Sequence, residues 1–133
     1  MNIHLFFDGG GSDDYAYGSW EVQFYGLKKR VHRQEYKNLD RVYLPEKLTS
    51  NSAEYTALIM GLEWLEQVKE KEKYHLTIRG DSMLVINQTK GQWRCRFPHL
   101  QELRQRVLVL LKGWPSHELK WNPRKVNMAI FGH

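Results

Sequence analysis

Helical spacing of apolar residues first appears after Ser52, and that onset restricts the fold more than any other feature. Before it, apolar residues cluster or alternate. Residues 3–7 form a short continuous apolar run, the pattern of a buried strand. Gly9, Gly10 and Gly11 break that run, and Ser12, Asp13 and Asp14 continue a loop. Trp20-Glu21-Val22-Gln23-Phe24 alternates, the mark of a half-buried strand. Residues 26–30 read as a hairpin turn, and residues 31–44 hold a third strand with an interruption near Asn38-Leu39-Asp40.

After Ser52 the period becomes helical. Ala57, Gly61, Leu65 and Val68 fall on one face, with Leu58 and Leu62 beside it. The charges of residues 66–73 alternate in sign and read as a solvated helix end. Residues 75–78 form a short strand. Residues 83–88 form a short helix entered at Asp81-Ser82, both residue types that cap helices, and Gly91 marks its stop. Leu100, Leu103, Val107 and Leu110 make a second amphipathic helix, from Pro98 to Gly113-Trp114-Pro115. Residues 118–121 are a fifth strand, Asn122-Pro123 breaks it, and the remainder is a short helix or a truncated end. The expected fold is α/β: a single domain over residues 1–133 with a mixed five-stranded sheet, three antiparallel strands followed by parallel additions, flanked by helices.

Three carboxylates stand where these elements stop or begin: Asp8 after the first strand, Glu54 at the start of the long helix, and Asp81 after the fourth strand. Such positions gather distant residues into one polar spot over a rigid core. Two carboxylates about 4 Å apart repel by roughly 4 kcal/mol at a protein-like dielectric. A converging trio therefore calls for protons or cations, and hard oxygen donors favour Mg²⁺ or Mn²⁺.

Bulk composition narrows the class. A hydrophobic fraction of 41% with 13% aromatics is globular rather than disordered. The net charge of +5 mildly favours a polyanionic partner. Cys95 is alone, which excludes an internal disulfide and a multi-cysteine zinc site and fits a reducing, cytoplasmic setting. No apolar run approaches a membrane span, and the first residues lack the pattern of a signal peptide, so a membrane is not an expected partner.

The order of elements, with acids in the sequence Asp, Glu, Asp, resembles the ribonuclease H family, more narrowly type 1 ribonuclease H and the RNase H-like domain of reverse transcriptases. The local matches are T49-x-N51-x-A53-E54-Y55-x-A57-L58, G80-D81-S82-x-L84-V85-x-N87-Q88 and W121-x-P123-R124-x-x-N127, with D8-G9 adding little alone. The resemblance implies a metal-dependent endonuclease that hydrolyses the RNA strand of an RNA–DNA hybrid. Asp8, Glu54 and Asp81 would be the metal ligands, with Asp8 bridging two cations roughly 3.5–4 Å apart when substrate is bound. It also implies that Asn51 and the backbone near Gly9 face the RNA strand, that Thr49 holds a DNA phosphate, and that Ser82 lies in the strand-to-helix segment beside them. Trp93, Arg94 and Arg96 would rest on the hybrid. The family's fourth carboxylate, four residues beyond Asn127, is Phe131 here, and no acid follows Glu118. Asn127 and His133 are candidate accessory residues.

Simpler roles stand beside these. Asp13 and Asp14 read as loop charges, Lys28-Lys29-Arg30 as a charged turn, Trp20, Trp64 and Trp114 as core or rim aromatics, and Cys95 as a packed neutral thiol. The missing acid leaves a second function open: an RNase H-like module, catalytically weak or inactive, that grips nucleic acid. Proofreading-type exonucleases carry Asp-x-Glu in their first strand, where this chain has Asp8, Gly9 and Gly10, and integrase-like enzymes place Glu last. A piece of a larger polymerase would read the same. A monomer is expected.

Overall fold

The computed structural model describes residues 1–11, 16–26, 30–37 and 49–132. Asp13, Asp14, Lys28, Lys29, the distal part of the expected third strand and His133 lie outside the described residues.

The elements are β1 (Asn2–Gly11), β2 (Ala16–Tyr25), β3 (Arg30–Tyr36), α1 (Ser50–Leu65), β4 (His75–Gly80), α2 (Met83–Thr89), α3 (Pro98–Leu111), β5 (His117–Trp121) and α4 (Arg124–Phe131). The sheet order is β3-β2-β1-β4-β5. β1, β2 and β3 pair antiparallel, whereas β4 runs parallel to both β1 and β5. This is the mixed sheet that the change in periodicity implies.

Alternation along β1 splits the sheet into two faces. Ile3, Leu5 and Phe7 are at most 1% exposed and meet Val22 and Trp20 of β2 and Leu76 and Ile78 of β4 on one face. α1 covers that face with Tyr55, Leu58, Ile59, Leu62 and Leu65, all fully buried. Each such aliphatic side chain contributes roughly 1.5–3 kcal/mol by leaving water, so α1 is set by packing rather than by helix propensity. α3 adds Leu100, Leu103, Val107 and Leu110 to the same core, as its period requires.

Two expectations fail instructively. The glycines at 9–11 do not end β1: the strand continues through Gly11, paired with Gly18, Tyr17 and Ala16. They serve close approach instead. A Cβ on Gly9 would lie 2.6 Å from the backbone carbonyl of Ala53, and one on Gly10 would lie 2.5 Å from the Tyr17 hydroxyl. Residues 66–73 are likewise not a helix end. α1 stops at Leu65, and one 3₁₀ turn follows at Lys71–Lys73. Beyond the stop the Lys71 ammonium holds the turn: it donates to the carbonyls of Glu66 (3.0 Å) and Val68 (2.8 Å) and lies 5.7 Å from the Trp114 ring. Val68 accordingly falls beyond the helix, and Arg30 belongs to β3 rather than to the turn.

The other sheet face carries Phe6, Glu21 and Arg33, and α4 lies against it, with Asn127 and Phe131 buried. Among the described residues no helix is long and apolar enough to cross a membrane.

Candidate active site

β1 and β4 are parallel neighbours, so their carboxyl ends open at the same edge of the sheet. The register pairs Phe6 with Arg79. Two residues further along each strand are Asp8 and Asp81, which this register brings level. Glu54 arrives from above. It lies in the second turn of α1, and the contact of Gly9 with the backbone of Ala53 and Glu54 presses that turn onto the end of β1. All three acids border one cleft of about 330 Å³, together with Gly9, Gly10, Gly11, Tyr17, Ser50 and Arg124.

Local capping keeps the acids available. Thr49 is the N-cap of α1. Its hydroxyl accepts from the Ser52 amide at 3.1 Å, while the Ser52 hydroxyl accepts from the Thr49 amide at 2.9 Å. Ser82, not Asp81, caps α2, accepting from the Val85 amide at 3.1 Å. The Asp81 carboxylate is thereby spared a capping role, and its backbone carbonyl is held by the Trp121 indole N–H at 3.0 Å. The Ser82 hydroxyl also hydrogen-bonds Glu54, tying α2 to α1 across the cleft.

Burial pushes Glu54 up to about 7, against the pull of its Ser82 hydrogen bond, and the charges of Asp81 and Asp8 raise it further. Burial raises Asp81 as well, opposed by its backbone hydrogen bond and by Arg124. This chemistry suits a divalent cation: three hard oxygen donors face one cleft, and burial with two neighbouring carboxylates makes the charged form of Glu54 costly without a cation. Among the described residues no three His, Cys, Asp or Glu side chains are drawn close enough to form a ready-made cage. A bound ion would have to pull the acids inward against their mutual repulsion.

The raised Glu54 pKa has a thermodynamic consequence. In the metal-free protein Glu54 binds its proton more tightly folded than unfolded, so deprotonation opposes folding. The penalty grows as pH rises from about 4.5 towards 7 and is fully present above it, on the order of 3 kcal/mol. Glu54→Gln should therefore raise the melting temperature at pH 8 and change it little at pH 4. Equal shifts at both pH values would contradict the assignment. Melting curves in EDTA across that range supply the measurement.

The remaining sequence candidates scatter. Asn51 lies in the first turn of α1, and it is its neighbour Ser50 that lines the cleft. Asn127 is buried beneath α4, where its side-chain amide donates to the Phe7 carbonyl at 3.0 Å, beside Asp8. Trp93, Arg94 and Arg96 are exposed in the loop between α2 and α3, outside the acid cleft. That loop is anchored: Gln88 accepts from the Tyr55 hydroxyl at 2.8 Å and donates to the Arg94 carbonyl at 3.1 Å. Burial raises the Cys95 thiol, in keeping with a neutral packed side chain. Phe131, at the position of the absent acid, is 4% exposed beneath Arg33. Sequence reasoning missed Tyr17, Ser50 and Arg124 as cleft residues. Only Arg124 carried a signal, since it is one of the matched positions of W121-x-P123-R124-x-x-N127.

This sheet order, with acids at the ends of its central parallel pair and α1 bringing a third, defines an RNase H-like domain. A family model described as reverse transcriptase-like matches residues 33–130, and the chain belongs to that family. The uncharacterized protein YpeP of Bacillus subtilis is 32% identical over 115 residues, covering 84% of this chain and 47% of that protein. Ribonuclease HI of Halobacterium salinarum is 37% identical over 79 residues, covering 59% of this chain and 38% of that protein. The chain thus spans less than half the length of these relatives. Among solved structures, RNase H1 from Halobacterium salinarum superimposes with a TM-score of 0.74 at 24% identity, covering 100% of both chains. LC11-RNase H1 in complex with RNA/DNA hybrid superimposes with a TM-score of 0.70 at 24% identity, covering 96% of this chain and 89% of that one.

Proposed function

We propose that this domain is a ribonuclease H, a metal-dependent endonuclease acting on the RNA strand of RNA–DNA hybrids as a monomer. The observation that carries the reading is the shared cleft of Asp8, Glu54 and Asp81, in a chain similar to Ribonuclease HI. Mg²⁺ or Mn²⁺, two per site with substrate bound, would supply Lewis-acid activation of water and charge stabilisation at the departing oxygen. Asp8, reaching the cleft from the central strand, would hold the ions together with Glu54 and Asp81. Ser82 orients the Glu54 carboxylate. Arg124 places a positive charge at the rim beside Asp81, where a phosphate would enter. We assign the reading of the 2′-hydroxyls that distinguish RNA to Ser50, which lines the cleft, with its neighbour Asn51 and the backbone at Gly9.

A second reading is favoured by one observation: the last helix supplies Phe131 instead of an acid. In that reading the domain grips hybrid without cutting it. Incubation of the protein with a hybrid labelled on its RNA strand, in Mg²⁺ and separately in Mn²⁺, tests the proposal. RNA-strand cleavage in at least one metal is the expected result. Tight binding with no cleavage in either would favour the second reading.

The exposed Arg94 and Arg96 are assigned to hybrid phosphates. Replacing both with Gln should weaken binding and lower the slope of log affinity against log salt by up to about 1.5–2. Affinity titrations between low and moderate salt would reveal it; an unaltered slope removes these residues from the interface.

A further inference from the structure

α4 is short, and although Gly132 in the left-handed conformation closes its C-terminus by donating to the Met128 carbonyl at 2.8 Å, its N-terminus is weakly capped. It has eight residues, begins at Pro123 with no side-chain cap bond, and has no acid in its first turn. A helix of this length does not hold its shape alone, so its placement comes from what grips it. At its middle, Asn127 is bonded to the Phe7 carbonyl. At its C-terminal end the grip is Arg33, two strands away on β3. The guanidinium donates to the carbonyls of Ile130 at 2.8 Å and Phe131 at 2.9 Å, and lies over the Phe131 ring at 5.3 Å. A cation on the last carbonyls also complements the helix dipole. Glu35 pairs with the same guanidinium and Glu21 stands 3.9 Å from it, so Arg33 is itself fixed. Gln23 steadies Glu21 in turn, donating at 2.6 Å. At the other end of the helix, Arg124 borders the acid cleft.

We propose that Arg33, with Phe131 beneath it, is a clamp that positions α4 and thereby sets Asn127 beside Asp8 and Arg124 at the rim of the cleft. Arg33 does not line the acid cleft, and its effect there runs through the helix. Its effect on turnover rests on the ribonuclease reading above; its effect on α4 does not.

The test compares Arg33→Met, which keeps the stem and loses the donors, with Arg33→Lys, which restores one charged donor. In the Met variant the α4 amides should exchange with solvent about tenfold faster or more while β1 amides keep their protection. The kcat on hybrid should fall about tenfold with KM within about twofold of wild type, as expected for misplacement at the reacting phosphate, and Lys should recover part of the loss. Unchanged exchange in α4 overturns the clamp, as does faster exchange with kcat intact. If the wild type cleaves no hybrid, the ribonuclease reading fails, and Mn²⁺ affinity decides the clamp. Freeing Arg124 from the rim should tighten Mn²⁺ binding severalfold in Arg33→Met and add nothing in an Arg124→Gln background. An Mn²⁺ affinity equal to wild type would overturn it.

Discussion

Asp8→Asn is expected to lower hybrid cleavage by at least about a thousandfold while leaving the fold intact. Asn is nearly the same size as Asp and keeps a carbonyl oxygen at the same place in β1, so neither the β1–β2 ladder nor the packing of Gly9 on α1 is disturbed. What disappears is a full negative charge at the floor of the cleft. Losing that charge also relieves Glu54, whose pKa Asp8 helps to raise, so the metal-free variant should melt at or slightly above the wild-type temperature. Single-turnover cleavage rates and melting curves on the same preparations provide the comparison. A wild-type rate in the variant would remove Asp8 from the chemistry. A large drop in melting temperature would show instead that it is structural.

The second large effect comes from a residue with no side chain. In Gly9→Ala the new methyl would sit 2.6 Å from the Ala53 carbonyl carbon and oxygen and 2.7 Å from the Glu54 amide nitrogen. Carbon contacts are comfortable near 3.5–4.0 Å, and the obstacle is helix backbone rather than a side chain that could swing away. The first turns of α1 must therefore retreat by about 1 Å. Overpacking of this kind costs roughly 1–3 kcal/mol, and a displaced Glu54 could lower turnover by about a hundredfold. Gly10→Ala is the internal control. Its methyl would meet the Tyr17 ring and hydroxyl, which lie at the open cleft, so both losses should be smaller. Equal behaviour of the two variants would contradict the view that Gly9 sets the distance between β1 and α1.

The same glycines show what a sequence does and does not disclose. Element types and order were legible because buried strands and helices impose their own spacing on apolar residues, as in Ile3, Leu5 and Phe7 or Leu100, Leu103 and Val107. Asp8, Glu54 and Asp81 were legible as members of one cleft because each stands next to the limit of an apolar run, although Asp8 proves to lie within β1 and Glu54 in the second turn of α1. The glycine triplet was misread as a break. Its purpose is contact with α1 and with the Tyr17 ring across the ladder, and neither partner is local in sequence. The turn that Lys71 holds after α1, by reaching back to the carbonyls of Glu66 and Val68, is invisible for a related reason: alternating charges look alike on a helix and on a turn. Ser50, Tyr17 and Arg124 were missed because their place in the cleft depends on how β2, α1 and α4 meet. The clamp of Arg33 on α4 spans 97 and 98 residues of sequence, beyond any local pattern.

The most direct test of the central claim is to soak crystals of the protein in Mn²⁺ and record anomalous scattering. Density for at least one ion in contact with Asp8, with Glu54 or Asp81 drawn in to share it, is the expected result. Mn²⁺ bound elsewhere on the molecule and absent from this cleft would contradict the account.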